Sequence, residues 1–285
     1  MEQPVTRVLG IDVGPELLRS WVRWLAPDPQ PFFVTDPEEW GIEGSTGTIT
    51  PELRDTYCLW RVGRSTPILW LSEERFSGLP RSKRAALVRE QAQRTRGAVP
   101  TVRAWQDLLD PTVLRAQADG HRFVWWPSLL TGDAAAVLTR QVSERRLPSR
   151  HEEVPETVWR ACADALPAAR SLAGTFPAGS KGCCFSTVLE AVGADSTGAC
   201  DSTEPFAKWL DDACRPGGDD HRPGTVLAWR AKDGAPVHAA VSIGDGWALE
   251  KPSQDWHSPR AVVTVTDVVR TSRMAGQRLE RHTVA

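Results

Sequence analysis

Two adjacent cysteines, Cys183 and Cys184, stand directly after a glycine-rich loop, Pro177-Ala-Gly-Ser-Lys-Gly182. They open Cys183-Cys-Phe-Ser-Thr-Val-Leu-Glu-Ala-Val192, a segment that reads as a helix. A thiol at a helix start meets unpaired backbone N–H groups and the positive end of the dipole. Both favour thiolate over thiol, and the same N–H groups can hold the oxyanion of a carbonyl under attack. A buried structural cysteine is the competing reading, and the upstream glycines, which permit a tight approach, weigh against it. A cysteine nucleophile needs a base, and histidine serves best near neutral pH. Five of the six histidines, His121, His151, His221, His257 and His282, sit in polar or terminal settings. His238 instead begins Val237-His-Ala-Ala-Val-Ser-Ile243, an alternating segment joined through Gly244-Asp-Gly246 to Trp247-Ala-Leu-Glu250. Asp-Gly between two apolar runs predicts a hairpin. Across it, His238 and Glu250 become neighbours, and a carboxylate there fixes the tautomer of the imidazole and stabilises its protonated form.

These residues resemble the NlpC-type papain-fold cysteine peptidases and amidases, in which a Cys starts a helix, a His begins a later strand and a polar residue follows on the next. The shared runs are Gly182-Cys-Cys-Phe-Ser-Thr-Val188, Pro223-Gly-Thr-Val-Leu-Ala-Trp229 and Val237-His-Ala-Ala-Val-Ser-Ile-Gly-Asp-Gly-Trp247. They cover about residues 150–270. The pattern aligns better on Cys184, which places Thr187 and Val188 in the helix, and Cys183 is the second choice for the nucleophile. The third position falls on Glu250, where the family more usually has His, and the family's Asp-Cys-Ser-Gly signature is absent. The resemblance implies a catalytic set of Cys184, His238 and Glu250 and a thiol-dependent hydrolase that cleaves a peptide-like amide through a cysteine acyl-enzyme. The same triad serves a biosynthetic acyltransferase or cyclase, and Glu250 also suits a non-catalytic binding module on a decayed scaffold. Cys183, Trp247 and Ser253 are the expected substrate contacts. Trp247 and Trp256 would wall a cleft beside His238, with core packing as their alternative, and Ser180 and Lys181 precede the nucleophile where an anionic substrate could meet them.

The remaining cysteines, Cys58, Cys162, Cys200 and Cys214, form no CxxC pair, so neither a metal nor any other cofactor is expected. Acids and bases nearly cancel, 36 against 34, so no global field points to nucleic acid. The expected partner is a small molecule or a peptide. No run of about 18 apolar residues exists to span a membrane, and the start lacks the basic and apolar pattern of a secretory signal. The expected location is the cytoplasm.

The elements that must position this chemistry predict an α+β protein. A C-terminal papain-like (NlpC-type) domain over residues 151–285 would pack a helix on a small antiparallel sheet. Residues 1–150 would form an α+β domain to which no chemistry is assigned, joined through a linker at Arg145–His151. In the first half, residues 7–13 read as one strand, 15–25 as a helix, 60–71 as a strand pair, and 80–96 and 102–109 as helices. In the second half, 155–172 reads as a helix kinked at Pro167, and the tail after Arg270 as frayed. Gly10-Ile-Asp-Val-Gly14 resembles the phosphate-contacting turn of sugar kinases and actin-like ATPases, although a plain strand-to-helix turn explains it too. Eight basic side chains between Arg75 and Arg103 face the single acid Glu90. At helical spacing they point all round rather than along one stripe, which favours a solvated helix over a face that binds phosphates or RNA.

Overall fold

The computed structural model describes residues 6–41, 49–59, 62–63, 65–117 and 119–285. It is a mixed α+β structure divided into two units. The first unit holds residues 13–141, and the second holds residues 142–285 together with Arg7–Asp12.

In the first unit, Pro15–Leu25 is helical, with Pro15 in the first turn where its missing N–H costs nothing. Strands Gln30–Phe33 and Ile68–Leu71 pair antiparallel. Of the strand pair expected over 60–71, the second strand is Ile68–Leu71, whose partner is Gln30–Phe33, and Trp60, Arg61 and Arg64 lie outside the described residues. Several tryptophans of this half serve packing: the rings of Phe32, Phe76 and Trp126 lie within 6.1 Å of one another, and Trp105 meets Trp125 edge-on at 4.8 Å. Part of the basic cluster is engaged internally, while Arg75, Arg81, Arg89 and Arg103 are exposed. Arg84 donates to four backbone carbonyls around the ends of neighbouring helices, Arg94 pairs with Glu90, and Arg96 is buried on the Phe32 and Tyr57 rings.

The second unit is built on a six-stranded antiparallel sheet. Its elements are α1 (Glu156–Cys162), α2 (Ala169–Leu172), α3 (Cys184–Ala191), α4 (Glu204–Ala213), β1 (Cys214–Pro216), β2 (Thr225–Arg230), β3 (Pro236–Gly244), β4 (Trp247–Glu250), β5 (Ala261–Thr264), α5 (Val265–Thr271) and β6 (Arg278–Val284). The strand order is β1-β6-β2-β3-β4-β5. Alternation along the strands divides the sheet into two apolar faces. Val226, Ala228, Ala239, Val241, Leu249 and Val262 pack with the side chains of α1, α3 and α4. Leu227, Trp229, Ala240, Ala248 and Val263 pack with Val265 and Val268 of α5.

Four expectations are corrected by this architecture. The tail is not frayed: β6 lies between β1 and β2, and its charged residues are paired, Glu280 with Arg230 at 2.7 Å and Arg281 with Asp220 at 2.7 Å. The helix expected over 155–172 breaks into α1 and α2, with Pro167 in the gap. The expected linker is bonded into this unit, since the Ser149 N–H donates to Leu9 O at 2.8 Å and the Arg150 N–H to Val262 O at 2.7 Å. Residues 7–13 form two short strands turning at Leu9 and Gly10, both at positive φ, and a Cβ on Gly10 would lie 2.7 Å from Ser149 O. Gly10 is thus required by a close backbone approach, which accounts for it without a nucleotide.

The Phe185–Phe206 stack, with centroids 4.6 Å apart, fastens α3 to α4. Replacing the fully buried Phe206 by Ala should cost about 3–5 kcal/mol in urea unfolding, well above the loss from the same change at the partly buried Trp209. Equal losses at the two sites would refute this account of the helix contact.

Candidate active site

Helix α3 is buried on every side except at Glu190, and its apolar residues Phe185, Val188, Leu189 and Ala191 belong to the core. Its polar side chains are absorbed locally. The Thr187 hydroxyl donates to Cys183 O at 2.9 Å, and Ser186 Oγ donates to the same carbonyl at 3.1 Å. Cys183 is the N-cap: its sulfur accepts the Ser186 N–H at 3.3 Å, while Ser186 Oγ accepts the Cys183 N–H in return. Cys184 is therefore the first helical residue, beside the orphan N–H groups of the first turn.

The two cysteines differ sharply in environment. Cys183 has no exposed surface, donates from Sγ to Ala199 O at 3.3 Å and lies 3.1 Å from the Cys200 sulfur. The hydrogen bond with Cys200, then burial, push its thiol well above the usual range. A sulfur committed to capping and kept protonated is neither a nucleophile nor a substrate contact, so Cys183 does not take either role expected of it. Cys184 keeps a small exposed surface of 7%.

His238 lies near the start of β3, where the ladder is irregular. Trp229 pairs with His238 and Arg230 with Pro236, leaving Val237 as a bulge immediately before the histidine. A bulge bends the strand and re-aims the next side chain. The imidazole rests on the Trp229 ring at 5.1 Å and is 13% exposed. On the next strand Glu250 pairs with Ala240, two residues beyond His238, which makes His238 and Glu250 diagonal neighbours. The hairpin turns at Asp245 and Gly246, both at positive φ, as a tight two-residue turn requires.

His238 Nε2 is 3.7 Å from Glu250 Oε2, an ion-pair contact slightly longer than a hydrogen bond, and both atoms are buried without another partner. The Cys184 thiol also interacts with the ring. Burial pushes the imidazole pKa down. Cys184 first, and Glu250 second, more than reverse this and raise it to about 10. The protonated ring is therefore held through neutral pH, flanked by sulfur and carboxylate.

The expected residues are not all gathered here. Cys184, His238 and Glu250 converge. Trp247 sits at the other end of β4, roughly 10 Å away along the strand, where the Arg150 guanidinium stacks on its ring at 4.7 Å. Trp256 is core, edge-on to His257 at 4.8 Å. Ser253 lies in the turn after β4 with its groups engaged internally: its hydroxyl donates to Asp255 Oδ2 at 2.8 Å and its N–H to Ser258 Oγ at 3.1 Å. Lys181 pairs with Asp201. Lys251, next to Glu250 and fully buried, went unread in the sequence, where only its place in a chain of five lysines could have drawn notice.

Among the described residues no cluster of His, Cys, Asp or Glu gathers to hold a metal, and no helix is long and apolar enough to cross a membrane. Comparison with protein-family models, curated proteins and solved structures finds no match for this chain.

His257, close behind the site, is buried with Nδ1 unpartnered and Nε2 3.9 Å from Asp255. Burial, with Arg146 adding to it, lowers its pKa to about 3. The unfolded chain takes up a proton at this histidine below about 6.5, whereas the folded chain does not until about 3. Stability from this group is complete above pH 6.5 and declines as pH falls, by up to about 1.4 kcal/mol per pH unit. His257→Gln should flatten the loss of unfolding free energy between pH 6.5 and 4; an unchanged slope would rule out a buried neutral imidazole.

Proposed function

We propose that the second unit is a thiol-dependent hydrolase acting on a peptide-like amide through an acyl-enzyme on Cys184, with His238 carrying the proton and Glu250 orienting it. The observation that supports this reading is a buried imidazole lying between a helix-start thiol and a carboxylate, each of which favours its charged form. In this reading the arrangement is that of the papain-like NlpC-type enzymes, with Glu in place of the more usual His at the third position.

The Cys184 sulfur attacks the carbonyl carbon, and the backbone N–H groups at the start of α3 receive the developing oxyanion. The imidazolium of His238 gives its proton to the departing amine, so the amide C–N bond breaks as the thioester forms. Neutral His238 then takes a proton from water, whose oxygen attacks the thioester, and returns it to the leaving sulfur. Glu250 keeps Nε2 occupied and orients the ring through both steps. An amine in place of the water would make the same cycle an acyl transfer.

Iodoacetamide at pH 6, followed by peptide mass spectrometry, should label Cys184 first. Cys162, Cys183 and Cys214 are each pushed upward, mainly by burial at Cys162 and Cys214 and by the Cys200 bond at Cys183. With p-nitrophenyl acetate as acyl donor, the native chain should give a burst of one p-nitrophenolate per chain and a trapped acetyl group on Cys184. Cys184→Ala should lose both at unchanged circular dichroism, and Glu250→Gln should slow the burst about tenfold or more. A full burst in Cys184→Ala would sink the proposal. Adding hydroxylamine or a simple amine tests whether deacylation follows water or the amine.

A further inference from the structure

Lys251 has no exposed surface, although an ammonium is among the costliest groups to bury. Its stem runs beneath the loop that delivers the cysteines: a Cβ placed on Gly182 would lie 3.3 Å from Lys251 Cε. At the far end, Nζ donates to Ser253 O at 2.6 Å and Asp255 O at 2.8 Å. One side chain therefore touches the segment before the nucleophile and closes the turn that follows Glu250. Both bonded partners are neutral carbonyls, which satisfy donors without balancing the charge.

The charged and titratable groups facing Lys251 are Asp255, Cys183, Cys184, Arg260 and His257. Asp255 is already engaged by the Ser253 hydroxyl and lies 3.7 Å from Arg146. Arg260 is bound by Glu190 at 2.9 Å, Cys183 is kept a thiol by Cys200 and burial, and His257 is kept neutral. Asp255 and Cys184 are thus the groups whose negative charge can answer that of Lys251.

We propose that Lys251 is a positioning residue of the cysteine site, holding the Gly182–Cys184 segment against the turn after β4 and setting a second buried positive charge, beside that of His238, to favour negative sulfur at Cys184. This rests on the reading of Cys184 as the nucleophile. Burial lowers the Lys251 pKa to about 8, a fall limited by Asp255 and then by the two cysteines. The ammonium is thus present at neutral pH and lost as pH rises through about 8.

The test compares iodoacetamide labelling of Cys184 from pH 5 to 9 in the native chain, Lys251→Met and Lys251→Gln. Gln keeps a donor and Met keeps the stem, but both remove the charge. Each should label at least tenfold more slowly at pH 6, with the half-maximum of the profile moved up by about one unit, since a tenfold change in the thiolate fraction corresponds to one unit. A role confined to stapling the turn would lower the melting temperature and leave the profile where it was. Fast native labelling with unmoved profiles in the folded variants overturns the Lys251 proposal alone. Native Cys184 labelling no faster than free cysteine overturns the nucleophile reading instead. Should neither variant fold, the unaltered chain still decides. With five lysines, the Nζ signals of labelled protein are few, and carbamidomethylation of Cys184 at pH 6 should lower the titration midpoint of Lys251. An unmoved midpoint overturns the proposal.

Discussion

A histidine ring enclosed by protein is held neutral unless charge lies close by, because burial penalises the charged form. His238 escapes this through two neighbours from separate elements, the thiol at the start of α3 and the carboxylate at the end of β4. Much of the second unit can be understood as the means of bringing those three groups to one place. The bulge at Val237 re-aims the ring, the tight turn at Asp245–Gly246 sets the register that brings Glu250 diagonal to it, and the helix is held against β3 by its buried apolar side chains. Loss of one partner would leave the other two buried and uncompensated, so the site and the sheet–helix packing depend on each other.

The same economy governs the helix itself. A buried helix start carries orphan N–H donors that water cannot reach, and here a cysteine rather than a hydroxyl or carboxylate takes the cap. Sulfur is a weak acceptor, and it is supported by the Ser186 N–H, the Ala199 carbonyl and the neighbouring sulfur of Cys200. A charged cap would have set a second negative group beside Cys184. A neutral one leaves the positive end of the helix available to the next residue. The adjacent cysteines thus divide into one that completes the helix and one that faces the imidazole.

Local chemistry was readable from the sequence wherever one residue type has one dominant reason to be where it stands. The helix start at the cysteines, the Asp-Gly hairpin and the polar third position on β4 all follow from spacing, and the structure gathers the residues they carry. Long-range pairing was not readable. The tail looked too basic for a strand because the partners of its charges lie about 50 to 60 residues away in sequence: Asp220 offsets Arg281, and Arg230 pairs with Glu280, only when the sheet forms. Ile68–Leu71 likewise pairs with Gln30–Phe33, about 35 to 40 residues earlier in the chain. Tryptophans resist a functional reading for a related reason: an indole beside a site and an indole in the core have the same composition, and only the fold separates Trp247 from His238.

Lys251 shows how a charge can be essential to a site and silent in a sequence. A lysine after a strand is ordinarily a solvated end, and nothing in Glu-Lys-Pro-Ser tells otherwise. What reverses the reading is the turn that follows. Ser253 and Asp255 direct their carbonyls to the ammonium, Ser258 ties the Ser253 backbone, and Trp256 and His257 of the same turn are buried. The turn therefore works as a cage whose interior is polar only where the ammonium ends. Opposite charges are worth more to each other where water is excluded, so a caged ammonium beside an almost covered thiol acts on it more strongly than a surface lysine at the same separation. If Cys184 is the nucleophile we propose, its slight exposure has a physical logic: enough opening to admit a carbonyl, and enough cover to keep the surrounding charges effective.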